Sequence, residues 1–462
     1  MFTTAELASI TGGKLIGPDM GTVSGISTDS RSIVPGELFI PLKGEHFDGH
    51  DYMSALAARR VTVSLCAESW LKQHTPPASV SCIAVPDTLR ALGDLAASFR
   101  KRFALTMIGV TGSNGKTTTK EMLATILSKV DQGLKTSGNL NNLIGLPRMV
   151  FQLKPQHCWG VLEMGMSEPG EISRLAEIAQ PSIGIVLNAF PAHLQSMGTV
   201  EAVAQAKGEL LHRIQDGGLA VVNADDPRIA SLPQNPSARR ISFGIRRGEV
   251  RAEEIQVIGT EGQRFSLVTP KGSIAIQLKA LGQHTIYNAL AACAALLETV
   301  DLETLAEGLE AFTPYSGRFQ LEKLAGNRLL IDDCYNANPA SCAVALRTVQ
   351  EIKGNSRVLV VLGDMLELGE GQQELHLQLG LQAGQVADRL YLLGPLTSAT
   401  AIGAAQAGLA AEAIIHAASH DEIADDMIKQ AARGDLILIK GSRGMQMEKI
   451  ADALRAAYRR EA

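Results

Sequence analysis

Apolar residues fall along this chain in two rhythms. Short apolar runs at 105–110, 158–163, 182–188 and 217–226 predict buried strands. Between them, spacing near the helical period of about 3.6 residues predicts helices over 87–102, 121–130 and 199–214. Alternating strands and helices argue for a parallel sheet covered by helices. The texture then changes to β-rich, alternating pieces at 254–258, 264–268 and 273–278, followed by an alanine-rich helix over 282–297. After F-T-P-Y-S-G-R-F at 312–319 the α/β rhythm restarts, with strands predicted at 328–331, 357–362, 389–393 and 436–439. That restart predicts a second doubly wound unit. Residues 1–84 read as a smaller α/β unit with a strand at 38–42. The pattern therefore predicts three domains, 1–84, 85–313 and 314–462, with hinges near 85 and 313. No repeat appears at solenoid periods.

Composition narrows the class. The chain is 45% hydrophobic and 20% charged, as an ordinary globular protein is. A net charge of -5 offers no basic footprint, so no nucleic-acid partner is expected. The six cysteines (66, 82, 158, 293, 334 and 342) form no C-x-x-C pair, which reads as reduced thiols in a cytoplasmic protein. Residues 1–17 lack a secretory pattern, and no apolar run has the length of a membrane span.

The chemistry centres on G-V-T-G-S-N-G-K-T-T-T-K at 109–120. A predicted strand, a glycine-rich turn and a predicted helix occur there in the order that makes a phosphate-binding loop. Gly112, Ser113, Asn114, Gly115, Lys116, Thr117 and Thr118 would surround the phosphates. Lys116 would reach the β/γ-phosphates, and Thr117 would place its hydroxyl on Mg²⁺. The strict spacing fails, because Val110 stands where the first glycine belongs; Gly109 and Gly112 flank it. Glu163 ends a predicted strand, where a carboxylate can hold Mg²⁺ directly or through water. His193 follows another strand end, and its spacing fits a structural role as well as a ligand role. Lys207 reads, on its own, as a solvated helix lysine. The asparagines of T-S-G-N-L-N-N-L-I-G-L-P at 136–147 are either turn formers or amide ligands. Polar groups in the 26–52 segment divide the same way. Asp332 and Asp333, L-G-D-M-L-E-L-G at 362–369 and K-G-S-R-G-M at 440–445 each sit where an apolar strand stops.

Taken together, these pieces resemble the Mur ligase family across essentially the whole chain. The resemblance rests on T-G-S-N-G-K-T-T, the E-M-G strand end, A-K-G-E, H-x-x-x-N, S-G-R-F and D-D-C-Y-N-A-N-P, in that order. It implies an α/β, three-domain architecture: a small N-terminal α/β domain, a central P-loop parallel-sheet ATPase domain and a C-terminal Rossmann-like domain. It implies ATP-dependent amide ligation in peptidoglycan precursor synthesis, with ATP and two Mg²⁺ ions. Thr28 and Ser30 would line a uridine site, with His46 and Phe47 nearby, and Asn139 and Asn142 would sit near the nucleotide-sugar substrate. Asn288 would sit at the adenine, Arg318 on the phosphates and Asp333 on the ribose. Lys207 matches the family's carbamylated lysine, which reverses the bland reading, and Glu163 and His193 match its other metal positions. Further pieces, S-G-N-L-N-N-L-I-G-L-P, E-M-G-M-S-E-P-G-E-I and K-G-S-R-G-M-Q-M-E, are similar to the branch that joins D-alanyl-D-alanine to UDP-N-acetylmuramoyl-tripeptide. A monomer is expected. The rival readings are another amide ligase of the superfamily, taking a diaminopimelate, lysine or folylpolyglutamate-type substrate, and a nucleotide-switched binding protein without ligation.

Overall fold

The computed structural model describes residues 1–192 and 194–459. Three sheets carry most of the architecture, beside a small pairing of Phe2–Thr3 with Thr22–Val23. The first has five strands, in the order Lys14–Ile16, Ser81–Val85, Val63–Ala67, Glu37–Phe39 and Gly25–Ser27. Its pairs are parallel except at Lys14–Ile16. The strand expected at 38–42 is shorter than its apolar run, because pairing stops at Phe39.

The second sheet has nine strands. Thr106–Thr111 lies inside it, between Trp159–Glu163 and Ile183–Val186, and all three run parallel. The chain first adds strands on one side, at Trp159–Glu163 and Gly133–Lys135. It then crosses to the other side, at Ile183–Val186, Leu219–Asn223 and Arg239–Gly244. That reversal opens a crevice at the carboxyl ends of the strands, where ligands of such sheets sit. The β-rich segment extends the sheet through Val250–Val257, Gln263–Thr269 and Gly272–Leu278, the last two pairing antiparallel.

Helices bury this sheet. Thr88–Arg100 starts at Asp87, whose carboxylate accepts from the N–H groups of Leu89 and Arg90 at 2.8 and 3.1 Å. The alanine-rich helix Gln283–Leu296 is buried from Ala289 to Leu296 and packs against Lys116–Leu127. Small side chains let the two helix backbones approach closely.

The third sheet has six strands, in the order Gln320–Lys323, Leu329–Asp333, Leu436–Lys440, Val358–Gly363, Arg389–Leu393 and Ile414–Ala417. Only the edge strand Gln320–Lys323 is antiparallel. Asp333 and Lys440 therefore end adjacent parallel strands, side by side on one rim.

Candidate active site

Thr106–Thr111 runs directly into the glycine-rich turn, and the helix Lys116–Leu127 starts inside it. Gly115 holds φ 89°, and a Cβ there would stand 2.3 Å from Asn288 Oδ1. Any other residue would be strained and would collide with that amide. Asn188, just past the neighbouring strand, braces the turn: Asn114 N–H donates to Asn188 Oδ1 at 2.9 Å, and Asn188 Nδ2 donates to the Asn114 carbonyl at 3.1 Å. Ser113 Oγ donates to the Phe190 carbonyl and accepts from the Phe190 N–H. The loop is thus set by hydrogen bonds before any anion arrives.

Lys116 Nζ donates to the Gly112 carbonyl at 2.6 Å. Burial lowers its pKa to about 8; Glu163 opposes that shift and Arg318 adds to it. Thr117 Oγ1 donates to Glu163 Oε2 at 3.4 Å and accepts from Arg318 Nη2 at 3.2 Å. Arg318 in turn lies over the Tyr335 ring, 3.8 Å from its centroid. Lys207 is 2% exposed and lies within the helix Val200–His212. Burial, helped by Lys116, holds its ammonium well below the usual lysine range.

The opposite wall comes from the third sheet. Asp333 Oδ2 accepts from Lys440 Nζ at 2.6 Å, and Oδ1 accepts from the Phe319 N–H at 3.1 Å. Burial raises the Asp333 pKa, against the pull of Lys440 and Arg318. Asn338 reaches across to the loop: its Nδ2 donates to Asn114 Oδ1 at 2.7 Å, and Asn114 Nδ2 donates back to Asn338 Oδ1 at 3.3 Å. Between the walls lies a cavity of about 700 Å³. His284 and Asn288 also line it, and each has a buried side-chain nitrogen, Nδ1 and Nδ2, without a hydrogen-bond partner. Burial and Lys440 push the His284 pKa down to about 4, so the ring is neutral near pH 7.

Most of the nucleotide-site residues expected from the sequence converge here. Gly112, Ser113, Asn114, Gly115, Lys116, Thr118, Asn142, Glu163, Lys207, Asn288, Arg318 and Asp333 all line this cavity. Thr117 joins through Glu163 and Arg318. Asn142 spends its side-chain oxygen on the N–H groups of Ile144 and Gly145, so it is a turn former as well as a cavity residue. Asn139 is exposed and outside the cavity, as are His46 and Phe47; Thr28 and Ser30 are half-buried in the turn after Gly25–Ser27. His193 lies outside the described residues.

Among the described residues no cluster of three or more His, Cys, Asp and Glu side chains gathers. Glu163 is nonetheless buried there, its Oε1 ion-paired with Lys120 Nζ at 3.3 Å without a hydrogen bond and its Oε2 facing the Thr117 hydroxyl. Hard oxygen donors beside a phosphate loop suit Mg²⁺. The sequence reading did not single out Lys120, Asn188, His284, Asn338 or Lys440 as site residues. The available signals were the segments that hold them: Lys120 ends G-V-T-G-S-N-G-K-T-T-T-K, His284 opens H-x-x-x-N, and Asn338 and Lys440 lie in D-D-C-Y-N-A-N-P and K-G-S-R-G-M.

A phosphate loop facing the polar strand ends of a second parallel sheet defines a nucleotide-binding cleft between two α/β units. Three segments match family models: the Mur ligase family catalytic domain at 22–100, the Mur ligase middle domain at 110–296, and the Mur ligase glutamate ligase domain at 317–443. The chain is 34% identical over 455 residues to the UDP-N-acetylmuramoyl-tripeptide–D-alanyl-D-alanine ligase of Bacillus subtilis, covering 97% of each. Its fold matches a crystal structure of MurF from Acinetobacter baumannii with TM-score 0.89 and 33% identity, covering 98% of this chain and 99% of that one. It also matches MurF ligase from Thermotoga maritima in complex with ADP, with TM-score 0.83 and 26% identity, covering 95% and 98%. The chain belongs to the Mur ligase family and is an ATP-dependent ligase.

Proposed function

We propose that this enzyme joins D-alanyl-D-alanine to UDP-N-acetylmuramoyl-tripeptide in the cytoplasm, acting as a monomer and releasing ADP and phosphate. The observation that carries the reading is its near full-length likeness to a ligase with those substrates. The tripeptide's terminal carboxylate attacks the γ-phosphate of ATP, ADP leaves, and an acyl phosphate forms. The dipeptide's amine then attacks the acyl carbon, and phosphate departs from the tetrahedral intermediate.

The chain's own groups mainly place reactants and offset charge. Backbone N–H groups of the 112–118 loop take the phosphates, and Lys116 exchanges the Gly112 carbonyl for them. Arg318 adds a second cation beside Thr117. Asn288 and Asp333 are assigned to adenine and ribose. Thr28, Ser30, His46, Phe47, Asn139 and Asn142 are assigned to the UDP-linked substrate. Thr117, Glu163, His193 and Lys207 would hold two Mg²⁺ ions, which supply Lewis-acid neutralisation of phosphate charge. Lys207 takes part as a carbamate: only an unprotonated amine adds CO₂, and burial favours that form here. The addition makes an N–C bond and releases one proton from the neutral amine, so an anionic oxygen donor stands where an ammonium would repel the metal. Closure of the cavity around bound substrates would keep water from the hydrolysable acyl phosphate.

The test is phosphate release from ATP with the UDP-linked tripeptide, with and without D-alanyl-D-alanine, plus product mass. Release needing both, with a product heavier by one dipeptide less water, is expected. Release with a different amine only would change the substrate and keep the mechanism; release with neither would favour a nucleotide switch.

A further inference from the structure

Lys120 stands behind the site and does not line the cavity. It is 3% exposed, although lysine normally keeps its ammonium in water. A buried ammonium is tolerated when its partners satisfy it, and these partners belong to three different elements. Nζ donates to the Thr136 carbonyl at 2.8 Å, and it lies 3.0 Å from Glu121 Oε1 and 3.3 Å from Glu163 Oε1. Glu121 is also paired with Lys135. Thr136 closes the ring, its Oγ1 accepting from the Glu163 N–H at 2.9 Å.

The arrangement gives the two oxygens of Glu163 different surroundings. Oε1 faces Lys120 from behind, and Oε2 faces Thr117. A carboxylate held on one oxygen by an ammonium has less freedom to swing the other away from the loop. Thr136 also begins the 137–144 segment, which brings Asn141 and Asn142 to the cavity. One ammonium therefore fixes Glu163 and the root of that segment together.

We propose that Lys120 is a positioning residue that holds Glu163 ready to receive Mg²⁺ beside the phosphate loop. The inference rests on the nucleotide and metal reading above. Lys120 touches neither ion nor nucleotide; it acts through the carboxylate it orients, as outer-shell partners of metal ligands do. A merely structural lysine would support the loop and the carboxylate alike, so its loss would weaken every mode of nucleotide binding equally.

The test is calorimetric titration of ADP into the full chain, with and without Mg²⁺. The parent protein sets the factor by which Mg²⁺ tightens ADP. Lys120→Met keeps most of the side-chain volume and removes the charge. It is expected to leave metal-free ADP affinity within about twofold, and to reduce the Mg²⁺-dependent factor by roughly tenfold or more, the range for outer-shell losses. Lys120→Gln, which retains a donor for the Thr136 carbonyl, is expected to do the same and serves if the methionine variant does not fold. An unchanged Mg²⁺ factor, or an equal loss with and without Mg²⁺, in whichever variant folds overturns the proposal. A parent protein whose ADP binding ignores Mg²⁺ overturns the metal reading first, and the role of Lys120 with it.

Discussion

The two walls of the cavity are built from different materials. The loop wall is mostly backbone and neutral amide: Asn188 braces Asn114, Phe190 braces Ser113, and glycine at 115 leaves room for Asn288. The facing wall rests on an ion pair, Asp333 with Lys440, buried at the ends of adjacent strands. Neutral bracing sets the shape of the 113–114 turn itself, while the wall's charges, Lys116 and the Lys120–Glu163 pair, stand behind or beside it. A buried ion pair ties its wall's stability to its charges, because either partner left alone is costly. Substitutions should therefore separate the walls by stability: folding suffers on the facing wall and is spared on the loop wall.

The sharpest contrast is expected from Lys116→Ala. Ligation should fall by about 10³-fold or more, since a cation on the transferring phosphate is lost, while the thermal midpoint stays near that of the parent. Full activity would remove the phosphate-loop assignment. On the facing wall, Asp333→Ala leaves Lys440 buried without its carboxylate. Denaturant unfolding should show a loss of about 3–5 kcal/mol; an unchanged midpoint would mean that the pair contributes nothing. Lys207→Ala tests whether the loop wall acquires its missing anion by modification. Activity should be lost and partly restored by short carboxylic acids, and parent-like turnover without rescue would eliminate the carbamate.

The smallest effect is a pH slope. His284 has a folded pKa of about 4 against an ordinary 6.5, with Lys440 facing it and Phe319 packed edge-on. Between those values the unfolded chain binds a proton that the folded chain does not. Stability should therefore rise with pH from about 4 to 6.5 and gain nothing from this group above it. His284→Gln should flatten that part of the midpoint-versus-pH curve.

Much of this was legible in the sequence wherever neighbours in space are neighbours in the chain. The phosphate loop is one continuous segment; the predicted helix at 121–130 missed that Lys116 already lies in the first turn and ran past its end at Leu127. Strands with unbroken apolar runs, such as Ile183–Val186 and Arg389–Leu393, were readable. Arg239–Gly244 was not resolved as a strand of its own, because it opens on two exposed arginines before its buried Ile241 and Phe243. Val63–Ala67 and Ser81–Val85 mix serine and cysteine into five-residue strands, which blurs the apolar signal. In the site, Glu163 was readable from its place at a strand end. Lys120 was not, because lysine is exposed by default and only the tertiary structure supplies Thr136 and Glu163 as its partners. The Asn114–Asn338 pair spans 224 positions, which no local pattern encodes.

That pair has a mechanical meaning. Two side-chain amides exchange hydrogen bonds between the loop of one domain and the N-cap of the helix Pro339–Ile352 in another. Neither partner is charged, so parting them strands no ion on either side. Each bond contributes about 1 kcal/mol net, and water can replace both. Such a contact works as a detent: it marks one setting of the two domains and yields to a modest push.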